Sequence, residues 1–112
     1  MKNYKFLQVD IEDRIKFDQF VDDLIEQFPI NDLYESTQKI EIETHTHDDF
    51  ESRLFIEGNA TFYFDNSSVD CQAGTYIELP AGLPHSFKYD GGNPLKVLRF
   101  FSKSDGWIAK LL

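Results

Sequence analysis

His45-Thr46-His47-Asp48-Asp49-Phe50-Glu51, answered by Pro80-Ala81-Gly82-Leu83-Pro84-His85, is the stretch on which the reading of this chain depends. His45 and His47 stand two apart in a run of alternating character, so on a strand they share one face. Buried imidazoles need hydrogen-bond partners, so this pair is not idle core filling. Glu51 follows after a short turn and can swing back toward the same face. His85 arrives from a strand far along the chain, positioned by the stiff 80–84 segment. A small β-barrel would bring His45, His47, Glu51 and His85 together as a shell of three nitrogens and one oxygen. Such a shell favours iron, nickel, cobalt or manganese. Zinc prefers fewer ligands, and calcium is poorly served by imidazole. An octahedral ion would keep two adjacent positions for waters or for one chelating substrate. The competing reading is a packed barrel that keeps an old ligand set without using it.

Working outward, the flanking residues read as short strands. Tyr4 to Val9 suits an edge strand. Over 10–28, Phe17, Phe20, Val21, Leu24, Ile25 and Phe28 recur at spacings of three and four, the signature of an amphipathic helix. Asp10 is its expected cap and Pro29 its stop. From Leu33 to His47 the period becomes two. Ile40 and Ile42 take one parity; Glu41, Glu43, His45 and His47 take the other. Either a bulge shifts the phase before His45, or acidic groups line the approach to the histidines. Leu54 to Phe64 reads as a strand pair broken at Gly58-Asn59. Val69–Cys71, Thr75–Leu79, Ser86–Tyr89 and Leu95–Phe101 complete the set, separated by turn clusters such as Asp90-Gly91-Gly92-Asn93-Pro94. The tail from Ser102 to Leu112 carries the only tryptophan, Trp107, and ends apolar. Many short strands with Gly/Pro turns imply an all-β sandwich or barrel with one N-terminal helix.

Composition bounds the function. A chain of 112 residues implies one domain, 1–112, with its barrel core over 37–101. A formal net charge of -9 argues against nucleic acid and anionic membranes as partners. Cys71 is the only cysteine, so no intrachain disulfide forms, and no basic neighbour in sequence activates it. With no signal-like apolar run in the first ten residues and no segment of membrane-spanning length, the expected location is the cytoplasm.

The two motifs resemble those of single-domain cupins. The family's first motif is matched by His45, His47, Glu51 and Gly58, and its second by Gly74, Pro80, Gly82 and His85. Lys39 and Tyr89 stand where the motifs usually have glycine and asparagine. The resemblance covers about residues 37 to 101 and implies a two-sheet, jelly-roll β-barrel holding one divalent metal ion. More narrowly, the chain is similar to the acireductone dioxygenase family. Asp48 and Asp49 after the second histidine, Arg53, Phe87, Arg99-Phe100-Phe101 and Trp107 match that family's pattern. Glu41 and Thr44 replace its usual aromatic and carboxylate before the first histidine.

That resemblance implies an O2-dependent cleavage of a small enediol, a chelating dianion, in methionine salvage. With Fe(II) the family yields formate and a 2-keto acid; with Ni(II) it releases carbon monoxide. Manganese, cobalt and zinc are further candidates. Arg53 and Arg99 would neutralise the substrate, while Phe87 and Trp107 would pack against its tail and exclude water. Simpler roles stand beside these. Arg53 can be a barrel-mouth ion pair, Arg99 a buried cation paired with Glu51 or Glu57, Phe87 core, Trp107 a lid or tail anchor, and Asp48 and Asp49 a solvated turn. Two other functions compete: a non-catalytic cupin module that binds a small molecule, and a metal-dependent isomerase or decarboxylase using Glu41 or Glu43 as acid–base. Edge strands and the aromatic helix offer surfaces for a homodimer.

Overall fold

The computed structural model describes residues 3–103 and 106–108. The apolar end expected at 109–112 lies outside them. In chain order the elements are β1 (Lys5–Gln8), α1 (Arg14–Gln27), β2 (Asn31–Ser36), β3 (Ile40–His45), β4 (Phe50–Glu57), β5 (Asn59–Tyr63), β6 (Ser68–Gln72), β7 (Thr75–Leu79), β8 (His85–Tyr89) and β9 (Leu95–Ser102). Two antiparallel sheets face each other, in the orders β1-β7-β4-β9-β2 and β3-β8-β5-β6. From β2 onward the chain changes sheet at every connection except β5–β6, the winding of a jelly roll. The two strands preceding residue 37, β1 and β2, form the edges of the five-stranded sheet.

Gly58 makes one of these crossings. The sequence reads as a strand pair there, but β4 and β5 belong to different sheets and do not pair with each other. Gly58 has φ +92°, and a Cβ would sit 2.5 Å from the Pro94 carbonyl oxygen. Only glycine turns the chain so sharply against that backbone. Likewise, the expected Leu33–His47 strand is two strands. The Ser36 hydroxyl accepts the Gln38 N–H at 3.0 Å and bends the chain between them.

The five-stranded sheet is buried on both faces. Along β4, Phe55 enters the core between the sheets, while Phe50 and Leu54 join a second core beneath α1. Along β9, Val97 goes inward and Phe100 outward; along β7, Ile77 and Leu79 go inward and Tyr76 outward. The helix closes the outer core with Phe17, Phe20, Val21, Leu24 and Phe28. Burying Phe17, Leu24 and Phe28 stabilises by roughly 1.5–3 kcal/mol each; Phe20 and Val21 are only partly buried. Ile25, expected on that stripe, stays 42% exposed. The helix starts later than a cap at Asp10 would place it, because Asp13 is its cap. The Asp13 side chain accepts the Lys16 N–H, whereas Asp10 closes a turn on the Glu12 N–H. Among the described residues, no helix is long and apolar enough to cross a membrane.

Among the described residues, one charged side chain lies in the outer core. Glu78 is 2% exposed. Its carboxylate accepts the Tyr76 hydroxyl at 2.7 Å and the backbone N–H groups of Trp107 and Ile108 at 2.6 and 3.1 Å. Those bonds fasten the tail over the sheet beside α1. Burial and the neighbouring carboxylate push the Tyr76 hydroxyl well above the usual phenol range, so it remains a donor. Glu78→Ala orphans two buried donors, the Tyr76 hydroxyl and the Ile108 N–H, and the half-buried Trp107 N–H, and the expected cost is about 2–4 kcal/mol in urea unfolding. A loss below about 1 kcal/mol would contradict this anchoring.

Candidate metal centre

The geometry of the centre starts with a register shift. Ile42 pairs with Phe87, but His45 pairs with His85, so β3 spends one residue more than β8 between these pairs. This bulge reverses the phase of the strand. Ile40, Ile42 and His45 therefore line the cavity between the sheets, and Glu41 and Glu43 are exposed. Glu41 lies 3.2 Å from the Lys39 ammonium and 4.0 Å from that of Lys88. Neither glutamate reaches the cavity, so the acid–base residue of an isomerase or decarboxylase is missing at those positions. Keeping the acids in water avoids burying two unpaired charges.

The 80–84 segment ties the second motif to the first. Gly82, at φ +81°, donates its N–H to the His47 carbonyl at 2.8 Å. His85, which begins β8, then stands directly across from His45. The rings of His45, His47 and His85 lie 4.5–5.0 Å apart, and one nitrogen from each falls within 4.8 Å of the others.

The hydrogen bonds fix the tautomers. His45 Nδ1 is 2.8 Å from the Glu43 carbonyl, and His85 Nδ1 is 2.8 Å from the Leu83 carbonyl. A carbonyl only accepts, so both Nδ1 atoms carry the proton. His47 Nδ1 is 2.6 Å from Glu51 Oε2, which accepts in the same way. In the neutral form of the rings each Nε2 is then a bare lone pair, and those of His45 and His47 face each other at 3.0 Å. Two acceptors cannot satisfy each other; a cation between them can. Burial holds His85 and His47 below the ordinary imidazole range, against the Leu83 carbonyl at one ring and Glu51 at the other. The donor set fits a borderline divalent ion.

Glu51 stands beside this triad but not within the nitrogen cluster. It is 6% exposed and divides its oxygens between His47 Nδ1 and Arg53 Nη2, the latter at 2.8 Å. Arg53 also donates to the Ser52 carbonyl. Arg99 is directly opposite Arg53 in the β4–β9 register. Its partner is neither Glu51 nor Glu57 but Asp32, reached by Nε and Nη2 at 2.7 and 2.6 Å. Those two hydrogen bonds hold the Asp32 carboxyl below the usual carboxylate range. Glu57 pairs instead with Lys96.

The three histidines, Glu51, Arg53 and Arg99 line a cavity of about 300 Å³. Phe87 lines it and packs on Phe62 at 4.8 Å. Trp107 does not. Its ring lies on the other side of the five-stranded sheet, 5.5 Å from Phe20 and 6.5 Å from Tyr76. The tail crosses the Glu78 face of β7, a fact that spacing along the chain does not encode. The tryptophan is therefore a tail anchor and not a cavity wall. Phe101 lines the cavity, as does Tyr34, which no motif in the sequence marks. Asp49 meets Lys103 at 3.0 Å on the surface. Cys71 is fully buried, its thiol pushed up to about 12 by desolvation, and is chemically quiet.

Comparisons with known proteins agree with this arrangement. The model of the ARD/ARD' family matches residues 2–109. Among curated relatives named acireductone dioxygenase, that of Hydrogenobaculum sp. is 34% identical over 91 residues, 78% of this chain and 50% of the relative. That of Aquifex aeolicus is 32% identical over 93 residues, 79% of this chain and 50% of the relative. The chain thus spans about half the length of these relatives. A DUF861 family protein of Thermotoga maritima superposes with a TM-score of 0.59 at 15% identity, covering 89% of this chain and 100% of that one. A cupin superfamily protein of Desulfitobacterium hafniense superposes with a TM-score of 0.52 at 15% identity, covering 64% and 66%. At those identities the likeness concerns the fold alone, a cupin-type jelly roll.

The depressed imidazoles give a direct test. In the metal-free protein, NMR titration of the ring protons should place the midpoints of His47 and His85 below 6.5. The folded state then binds fewer protons than the unfolded chain, so these two groups cost stability as pH falls through 6.5 and are neutral, ready for an ion, above it. Midpoints at or above 6.5 would remove the case for buried, proton-free rings.

Proposed function

This chain belongs to the ARD/ARD' family, and on that premise we propose that it is a metal-dependent dioxygenase that cleaves a small enediol with O2. The observation that carries the proposal is the convergence of three imidazoles whose Nδ1 atoms are held by the Glu43 and Leu83 carbonyls and the buried Glu51 carboxylate, leaving Nε2 to face the centre. His45, His47 and His85 would hold the ion, with the adjacent Glu51 as its oxygen ligand. Fe(II) or Ni(II) are the ions favoured, and manganese, cobalt or zinc are alternatives that the same donors accept. When bound, the ion supplies a Lewis acid that an enediol can chelate and a redox partner for O2.

The chain's own residues supply the rest. Arg53 is buried next to Glu51, so releasing that carboxylate to an ion would turn the guanidinium's donors toward an anionic ligand. Arg99 adds donors on the neighbouring strand. Phe87 and Phe62 form an apolar wall that would seat a substrate tail and exclude water. The name shared by the relatives points to an acireductone, which would place the reaction in methionine salvage. A purely binding module would share the metal and the wall, and it is separated by turnover.

Anaerobic loading with Fe(II) or Ni(II), followed by O2 uptake across a set of enediols, is the deciding assay. Uptake coupled to substrate loss is expected; a metal-loaded protein that consumes no O2 with any enediol is a binding module instead. Glu51→Ala should weaken metal affinity by about 10–100-fold, read by competition with a chelator. Unchanged affinity would remove Glu51 from the shell. Stripping the metal should lower Tm, by an amount that grows with the free ion concentration used in the loaded sample.

A further inference from the structure

Strand β2 lies outside both histidine motifs, yet it borders the cavity through Tyr34. Its Asp32 stands directly across from Arg99 in the β2–β9 register and takes two hydrogen bonds from it. The Arg99 guanidinium also lies over the Tyr34 ring at 5.0 Å and near the Phe101 ring at 5.9 Å. A planar fork bonded at two points and stacked on a ring is a fixed group, not a swinging cation.

Arg53 faces Arg99 on the adjoining strand and lies 5.5 Å from the same Phe101 ring. Like charges opposite each other on neighbouring strands repel, so each needs a carboxylate. The two carboxylates are not equivalent. Glu51 is shared with His47 and would serve the ion. Asp32 sits half exposed at the sheet edge, bonded to Arg99. An ion that draws on Glu51 leaves Arg53 as a cation in need of a partner, while Arg99 stays neutralised.

We infer that Asp32 is a specificity-determining residue, which cancels the charge of Arg99 and pins it to the cavity wall, so that an anionic ligand meets one net guanidinium, Arg53, instead of two. This inference rests on the metal reading given above and fixes how much negative charge the site accepts. Asp32 belongs to neither motif, and its effect passes through Arg99.

Wild type, Asp32→Asn and Asp32→Glu are loaded with Co(II), and uptake is measured first. Oxalate, a chelating dianion, and acetohydroxamate, a chelating monoanion, are then titrated against the Co(II) absorption bands. Asp32→Asn should shift the affinity ratio toward oxalate by roughly fivefold at low salt, less at high salt, and Asp32→Glu should restore it. A merely structural role would change both affinities alike. An unchanged ratio overturns the inference; a fall in the ratio overturns it too, showing that Asp32 presents Arg99 to the ligand. In the metal-free proteins, phenylglyoxal should modify Arg99 several times faster in Asp32→Asn than in wild type, with Arg53 unaffected. Equal rates at Arg99 overturn the clasp and leave the metal reading standing. A wild-type protein that takes up no Co(II) overturns the metal reading, and this inference with it.

Discussion

Burial of one sheet on both of its faces is the constraint from which the rest of the architecture follows. A strand with two apolar environments cannot simply alternate oil and water. Each of β4, β7 and β9 must send one parity into the space between the sheets and the other under α1. Where a charged group enters either space it must bring its partner. Glu51 and Arg53 do so on the inner side, and Glu78 with Tyr76 and the tail does so on the outer side. The cavity and the tail anchor are thus two faces of the same few strands, kept apart by a single layer of backbone.

The centre itself depends on a local irregularity. Without the extra residue in β3, His45 would share its face with Glu41 and Glu43, and the cavity would hold three acids near the imidazoles. The bulge gives up ladder regularity to sort those side chains, leaving Ile40 and Ile42 on the cavity side and both glutamates in water, Glu41 beside Lys39. The backbone also sets the rings. Two of the three Nδ1 protons are held by carbonyls two residues upstream, so the direction of the bare nitrogens is written into the local chain path.

These distinctions explain what the residues alone could and could not tell. The histidine triad, the jelly roll and the amphipathic helix were readable, because motif spacing and periodicity are local and the interior enforces them. The parity problem at Glu41 was visible, but its resolution was not, since a bulge is decided by pairing with β8. Trp107 was misplaced because a tail can cross either face of a sheet with the same spacing. The partner of Arg99 was missed for a related reason: Asp32 is 67 positions away and becomes its neighbour only through the β2–β9 register. Long-range pairing, and not composition, assigns such contacts.

The anchoring of the tail at Glu78 carries a consequence for how this chain can drift. The carboxylate grips main-chain amides at 107 and 108, and main-chain amides are common to every residue but proline. Substitutions there can accumulate without touching the grip, whereas proline would cut it. The neighbouring position is the strict one, since a Cβ at Gly106 would lie 2.4 Å from Glu78 Oε1. A search for shared side chains would pass over this attachment, although it is among the most deeply enclosed polar contacts in the protein.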